Sequence, residues 1–456
     1  MLSLNAGGER DCAMRAKVRR RRAAFALALI VIVAGAIVLV NPRLTRYVES
    51  DAFRAELEKQ TAKGLHFPAG TYLLIRRTGF LSAASDGFKA RNGRKALTAL
   101  DARGITARFD PFGILLRRWQ LDDVHIDGGE VGIQTYEPEP EPSPSKPWYH
   151  IFLPNRVYLR KVWSEPADVT WRFRNEKGGF FGTRLLITPH GRDFEYRATD
   201  GTLKGALIPD LPLRHTHLLI TKTLLTLYEL DLAPGPGGEG FIHAEGTAGT
   251  REDKSVNFKV KFEKLPLREW LPASWREHAS GLAAGDVHWS GPNPKLENSR
   301  VRASLRVGEG RVSGLPFLQT LGRITGKKSI EQLTLNECSA ELDWKSPLVE
   351  IKDIAVEDKG KFRIEGAISI RERSLGGAIR LGFAREYLEW LPHPEEVFAS
   401  EKAGYLWTTV HLSGTIDEPG QDLSPRIIEA LKESPGAFLK LILGQLGDWL
   451  KDTFGD

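Results

Sequence analysis

The chain has 456 residues, of which 41% are hydrophobic, so it is long enough for several domains and too apolar to be disordered. Its formal net charge is +6 (64 basic less 58 acidic residues), and residues 1–22 alone carry +5, from seven basic residues against Glu9 and Asp11. The rest of the chain therefore carries only about +1 (6 less 5), which argues against a nucleic-acid partner.

A membrane-spanning helix is predicted directly after the basic tail. Residues 23–40 form an uninterrupted run of 18 apolar or small residues, about 27 Å long as a helix, which is enough to cross a hydrocarbon core. A cleavable signal peptide is the alternative, but the run is long for one and residues 41–43 offer no small-residue cleavage site. The basic tail is expected in the cytoplasm, which predicts a single-pass inner-membrane protein with a periplasmic body.

A short helix and then many strands are predicted after this span. Residues 45–63 carry apolar residues at helical spacing before Gly64, which indicates a juxtamembrane helix. Beyond it, apolar and polar residues alternate, with glycine, aspartate or asparagine punctuation at roughly 8 to 12 residue intervals, a pattern typical of antiparallel sheet. The proline and glutamate run at residues 137–147 predicts a polyproline II linker or a solvated loop.

Two similar sequence units lie in tandem. Glu245-Gly246 recurs 120 residues on as Glu365-Gly366, and Glu-Trp-Leu-Pro at residues 269–272 recurs at the same offset at residues 389–392. Val-His-Trp-Ser-Gly at residues 287–291 then recurs as Val-His-Leu-Ser-Gly at residues 410–414. Strand-rich units of this kind bury their faces against the next unit, which extends a sheet in one direction.

Candidate catalytic and metal-binding residues are few. Cys12 and Cys338 are the chain's two cysteines, too few for a disulfide framework or a cysteine-based zinc site. His215 and His217 would share one face of a strand, but no third ligand is identifiable, so a structural role is favoured. Residues 322–329 fit a phosphate-binding loop poorly, because the second glycine comes one residue early, and are interpreted as a helix end and turn. We therefore predict no enzymatic activity and no cofactor.

Three segments resemble the AsmA family of envelope proteins. Residues 116–133, after one span and a short helix, are similar to the opening of those proteins. Residues 310–319 and the strands that follow them to Ile370 resemble the family's C-terminal domain, and residues 412–419 resemble its terminal strand. The resemblance implies a relative of the bridge-like lipid carriers, with a long, strongly curved sheet whose concave face is apolar. The proline-rich insert and the modest length depart from the larger members, so a complete bridge between two membranes is not implied.

On this resemblance, the predicted fold is mostly β: an elongated, curved antiparallel sheet with an open groove, built from tandem repeats, with transmembrane, juxtamembrane and C-terminal amphipathic helices. The predicted organisation is a basic cytoplasmic tail (1–22), the transmembrane helix (23–40), an N-terminal AsmA-like and chorein-like region (41–136), the linker or loop (137–147), a β-repeat region (148–300), an AsmA-like C-terminal β region (301–420) and an amphipathic helical end (421–456).

The predicted function is to bind or conduct phospholipids along the apolar groove in envelope lipid homeostasis. Exposing an acyl chain of about 16 methylenes to water costs on the order of 13 kcal/mol, so a continuous apolar groove would replace the bilayer interior. The residues predicted to line it are Val256, Phe258, Val260, Val301, Leu305, Val307, Phe362, Ile364, Ile379, Leu381 and Phe383. The alternative function is a non-lipid scaffold that assists outer-membrane protein assembly, with a closed sandwich core.

The C-terminal end predicts a docking element. Ser434 and Pro435 suit the N-cap and first turn of a helix, and an apolar stripe follows from Phe438 to Leu450. That stripe either closes the end of the sheet or contacts a membrane or an outer-membrane or periplasmic partner. The expected partners are therefore phospholipid, the inner membrane and such an envelope protein, with no nucleic acid.

Overall fold

The computed structural model describes the strand-rich body of the chain. It covers residue 42 and residues 45–93, 97–115, 119–133, 157–173, 176–191, 193–205, 208–221, 223–235, 239–249, 253–293, 295–314, 318–319, 322, 327–416 and 418–432. The basic tail, the predicted transmembrane helix, the proline and glutamate run and the predicted helix at 434–450 lie outside these residues. Within the part covered, no helix is both long and apolar enough to cross a membrane.

The chain divides into two units, Met1–Ser164 and Glu165–Asp456, called unit 1 and unit 2 below. The predicted divisions at residues 148 and 301 are finer than this partition and stay predictions.

Unit 1 combines helices with a small sheet. Its elements are α1 (Asp51–Gly64), β1 (Gly70–Arg77), β2 (Ser82–Arg91), β3 (Leu97–Asp110), α2 (Phe112–Leu115), β4 (Trp119–Ile133) and β5 (Val157–Leu159). Strands β1 to β4 pair in chain order as an antiparallel meander, and β5 runs parallel to β4. The helix predicted before Gly64 is confirmed as α1, whose N-cap is Ser50: the Ser50 hydroxyl accepts a hydrogen bond from the Phe53 amide. Its position beside a membrane stays a prediction.

Side chains of the N-terminal segment hold it against β1. Glu58 of α1 accepts a hydrogen bond from the Tyr72 amide at 2.8 Å, and Glu49 accepts one from the Arg77 amide at 3.2 Å. The core of unit 1 lies between α1 and the sheet. Its buried residues are Ala62, Phe67, Phe88 and Ala90.

Unit 2 is built almost entirely from strands. They are β6 (Val162–Phe173), whose first residues belong to unit 1, β7 (Glu176–His190), β8 (Asp193–Thr199), β9 (Thr202–Gly205), β10 (Ile208–Ile220), β11 (Leu224–Leu232), β12 (Phe241–Gly249), β13 (Val256–Pro266), β14 (Ala279–Gly291), β15 (Arg300–Ser313), β16 (Gln332–Leu335), β17 (Glu337–Lys345), β18 (Leu348–Asp358), β19 (Phe362–Arg371), β20 (Ser374–Ala384), β21 (Ser400–Lys402), β22 (Tyr405–Gly414) and β23 (Pro419–Gln421). Its helices are α3 (Leu267–Trp270), α4 (Pro394–Val397) and α5 (Leu423–Lys432), with short 3₁₀ turns at Ala273–Trp275, Leu296–Asn298, Lys328–Ile330 and Arg385–Tyr387.

From β7 onward, each long strand of unit 2 pairs with the next long strand in the chain. The sheet order is β7, β8, β10, β11, β12, β13, β14, β15, β17, β18, β19, β20, β22, and every one of these pairs is antiparallel. Short strands fill in beside them: β9 pairs with β7 and β10, and β16 pairs with β15. The mostly β, antiparallel architecture expected from the alternating sequence pattern is therefore confirmed.

The two similar sequence units share one backbone feature. Gly246 in β12 and Gly366 in β19 have φ values of 157° and 148°, and in both cases the preceding strand has a register shift beside the glycine. The third matching stretch is out of step. Val287 pairs with Val260, whose counterpart in the second unit is Leu381. Val410, however, pairs with Ile379, which lies two residues before Leu381. The tandem-repeat origin of the sheet stays a prediction.

Replacing Gly366 with alanine should destabilise the protein by about 2 kcal/mol, because a backbone at this φ is strained for any other residue. A Cβ there would lie 2.5 Å from the Ala378 carbonyl oxygen and 2.8 Å from the Ile379 Cα, and neither backbone atom can yield. Chemical denaturation of the two proteins measures the change. Gly376→Ala is the matched control, since its Cβ meets only the Ser369 hydroxyl at 3.5 Å. Equal stability losses in the two variants would contradict the strain argument.

Candidate functional site

One side of the unit 2 sheet carries continuous rows of apolar side chains. Residues directly opposite each other on antiparallel strands point to the same side, so the register defines each row. One row, from β13 to β20, is Phe258, Trp289, Val301, Trp344, Val349, Ile370 and Leu375. The next row, from β13 to β19, is Val260, Val287, Ala303, Leu342, Ile351 and Ile368. We call the side of the sheet that carries both rows the apolar face.

The two rows are half-buried. Every residue in them keeps part of its surface accessible to solvent, and Leu305, next to the second row on the same face, is 37% exposed. A sheet face packed against a second sheet buries such side chains almost completely. In the described part of unit 2, these rows therefore present accessible hydrocarbon rather than the interior of a sandwich.

Other parts of the apolar face are closed by the connections between strands. Helix α3 places Leu267 and Trp270 against one buried cluster. This first cluster consists of Ala198, Leu211, Leu213, Leu232, Ile242, Leu265, Ala283 and Val307. At these positions the protein fills the face with its own side chains.

Two further clusters close the face near β19, β20 and β22. Leu318, Ile330 and Tyr387 come from connecting segments and pack with Leu333 and Phe362. The connection after β20 and helix α5 build the third cluster, which consists of Leu388, Leu391, Val397, Phe398, Leu406 and Ala430. Helix α5, the described part of the predicted helical end (421–456), thus packs on the sheet itself, and the docking role of residues 434–450 stays a prediction.

All of the predicted groove residues lie on the apolar face, but they differ in accessibility. The half-buried ones outside the closed clusters are Phe258, Val301, Ile379 and Leu381, together with the more exposed Leu305. Val260 packs beside the first cluster, and Ile364 and Phe383 pack beside the cluster of Phe362. Val256, Val307 and Phe362 are buried, at 5%, 7% and 7% exposure. Other side chains of the protein cover these three residues, so they are not accessible to a ligand.

The sequence-based prediction of the groove named no residue of β17 or β18. Leu342, Trp344, Val349 and Ile351 complete both rows and show the same alternation as the strands that were recognised. Register shifts interrupt the pattern in this region, beside Ser339 in the β17–β18 pair and after Ile351 in the β18–β19 pair. A search for short alternating stretches on each side of such an interruption would have found them.

Two indole groups face this apolar environment without a hydrogen-bond partner. The ring of Trp289 stacks on Phe258 at 5.8 Å between centroids, and its Nε1 atom is buried with no acceptor. The Nε1 atom of Trp270, beside the first cluster, is in the same state. A buried donor without an acceptor costs about 1–3 kcal/mol of stability.

The opposite side of the sheet is charged. The predicted histidine pair lies there, and each imidazole binds a carboxylate: His215 Nε2 lies 2.8 Å from Glu229, and His217 Nε2 lies 2.5 Å from Glu195. The hydrogen bond from His217 lowers the pKa of Glu195. In the residues covered by the structure, no three histidine, cysteine, aspartate or glutamate side chains are grouped to hold a metal ion.

Arg363 is the centre of the densest charge cluster on this side. Its guanidinium contacts Glu337 at 2.7 Å, Glu357 at 2.9 Å and Glu365 at 2.7 Å. The hydrogen bond to Glu365 and the charges of the other two carboxylates raise the pKa of Arg363. The sheet thus separates a charged, solvated side from an apolar side.

The loop that loosely fits a phosphate-binding motif is covered only in part. Residues 323–326 lie outside the described residues, and Lys328–Ile330 forms a 3₁₀ turn whose Ile330 is buried. Comparison with known proteins adds no assignment, since no family model, curated protein or solved structure matches this chain. The two-faced sheet is therefore the feature that points to a function.

Proposed function

We propose that the protein binds phospholipid by laying its acyl chains on the apolar face of unit 2. The observation that carries the proposal is the pair of unbroken apolar rows, one from β13 to β20 and one from β13 to β19, whose side chains stay partly accessible to solvent. Hydrocarbon left exposed over so many adjacent strands is costly in water and indicates a surface that is covered by a partner or ligand.

The energetics favour a chain-shaped hydrophobic ligand. Each methylene moved from water to the apolar face gains about 0.8 kcal/mol, so one acyl chain gains on the order of 10 kcal/mol. Successive strands lie about 4.8 Å apart, so the row from β13 to β20 extends for roughly 29 Å. Because neighbouring positions on the row are chemically alike, a chain can slide along it with little change in free energy.

The proposed setting is the bacterial-type envelope, in line with the AsmA-like segments of the sequence. The run at residues 23–40 would anchor the chain in the inner membrane with both units on the periplasmic side. The sheet would then act as a carrier or as part of a conduit in envelope lipid homeostasis. Scaffolding of outer-membrane protein assembly is the competing function, and it requires a protein rather than a lipid on the apolar face.

Site-specific photo-crosslinking in cells tests the proposal. A benzophenone amino acid at Leu305 on the apolar face should form adducts with phospholipid, which mass spectrometry of the purified full chain identifies. Arg306, its exposed neighbour on the charged side, is the matched control and should give no lipid adduct. Protein adducts at Leu305 without lipid would favour the scaffold, and equal lipid adducts at both positions would refute a specific lipid face.

A further inference from the structure

One end of unit 1 exposes large apolar side chains. Phe80 is 47% exposed, Leu81 is 36% exposed and Phe112 is 70% exposed. We call these three residues the tip. A single exposed apolar residue is ordinary, but a group of adjacent ones is a mark of an interaction surface.

Backbone hydrogen bonds bring the tip residues together. The turn between β1 and β2 carries Phe80 and Leu81, and the Leu81 carbonyl accepts the amide of Phe109 at 2.7 Å. Phe109 lies three residues before Phe112, whose amide is held by the Asp110 side chain at 3.0 Å. The turn and α2 are therefore fixed at the same end of the sheet.

The segment that leads out of the predicted membrane anchor meets the sheet at this end. The Arg77 guanidinium donates to the Thr45 hydroxyl at 2.8 Å and to the Phe80 carbonyl at 3.0 Å. Thr45 follows Val40, the last residue of the apolar run, by five residues, which span at most about 18 Å even when fully extended. One side chain thus ties the exit of the anchor to the turn that bears Phe80.

Neighbouring side chains have the chemistry of a bilayer interface. Tyr47, on the same N-terminal segment, is 54% exposed and packs edge-on against Phe53. Elsewhere in unit 1, Trp163 is 37% exposed, and the Lys161 ammonium lies 4.4 Å from its ring centroid. Tyrosine and tryptophan are enriched at the level of lipid head groups, where an apolar ring and a polar edge are both satisfied.

We propose that the tip inserts into the head-group and upper acyl region of the membrane that holds the anchor. This inference rests on the proposed membrane anchoring of residues 23–40. The short chain between Val40 and Thr45 keeps the tip within reach of the bilayer, and Phe80, Leu81 and Phe112 supply the apolar surface that enters it. The tip would give unit 1 a second membrane contact besides the anchor and so limit its rotation about the connecting segment.

A depth measurement on the full chain in vesicles of phosphatidylethanolamine and phosphatidylglycerol tests this proposal. In a Cys12→Ser, Cys338→Ser background, a nitrobenzoxadiazole label is placed on Phe112→Cys or Phe80→Cys. The control label is on Arg91→Cys, at the other end of β2, about 30 Å away along the strand. We expect lipids with a spin label on the upper acyl chain to quench the tip labels at least about threefold more than the control label.

Two results would overturn the proposal. One is a tip label that lipid does not quench and aqueous iodide reaches fully. The other is a tip label shielded from iodide but not quenched by lipid, which would place a protein surface or a second copy of the chain on the tip. Crosslinking at Leu305 measures the proposed lipid binding independently. A negative result for the tip therefore does not change the conclusion about lipid binding. Phe112 is largely exposed, so its replacement should leave the thermal transition in place.

Discussion

Replacing Ile379 with aspartate should reduce the phospholipid that copurifies with the full chain by at least about tenfold, because a carboxylate on the apolar face would have to lose its water against an acyl chain. Ile379 is half-buried, lies outside the closed clusters and pairs with Gly366 and Val410 across the face. Quantitative lipid mass spectrometry on equal amounts of protein measures the effect.

Ala378→Asp is the matched control for this experiment. Ala378 precedes Ile379 in β20, points to the charged side and is exposed, so the same carboxylate there should leave bound lipid unchanged. Leu381→Asp, also on the apolar face, should lose lipid as Ile379→Asp does. Ile364→Asp should instead unfold the protein, because Ile364 packs against the cluster of Phe362. If Ile379→Asp keeps its bound lipid, Ile379 does not contact lipid. If Ile379→Asp unfolds as Ile364→Asp is expected to do, Ile379 belongs to the ordinary core.

Replacing Arg363 with methionine should lower the free energy of unfolding by about 2 kcal/mol, because three carboxylates are left facing one another without their shared cation. Arg363 is only 24% exposed, whereas its three partners, Glu337, Glu357 and Glu365, lie within 2.9 Å of it. Denaturant unfolding at neutral pH measures the loss.

The pH dependence of the Arg363→Met variant gives a second readout. Repulsion among the three carboxylates needs all of them ionised, so it is strongest at neutral pH and weakens as the solution becomes acidic. The stability loss relative to the wild type should therefore be smaller near pH 5 than near pH 7.5. Arg380→Met is the control, since Arg380 touches a single carboxylate at 3.5 Å and is 42% exposed. A pH-independent loss would indicate lost packing rather than repulsion.

Period-two alternation was sufficient to predict the class of the fold. The stretches around Phe258, Val301 and Ile379 alternate strictly, and each is a strand of the antiparallel sheet with its apolar residues on one side. The helix before Gly64 was equally readable, because its apolar spacing and terminal glycine are local signals. Strands and helices of this kind can be predicted from the sequence because their periods depend only on near neighbours in the chain.

The accessible and closed parts of the face could not be separated from the sequence. Val307 and Leu305 belong to the same alternating stretch, yet Val307 is buried by residues brought in from other connections and Leu305 is not. The difference depends on where α3 and the segment after β20 fold back, which is a matter of tertiary contacts. The tip of unit 1 was missed for a related reason, since Phe80 and Phe112 are far apart in the chain and meet only through the pairing of β2 with β3.

Because nearly every long strand of unit 2 binds the strand made just before it, the sheet has a low contact order. A chain that emerges in an extended state can therefore add strands one after another, without waiting for a distant segment to arrive. This strand order also allows gene duplication to lengthen the sheet by one hairpin at a time. Each added hairpin extends the sheet by about 10 Å, and the existing strands keep their neighbours.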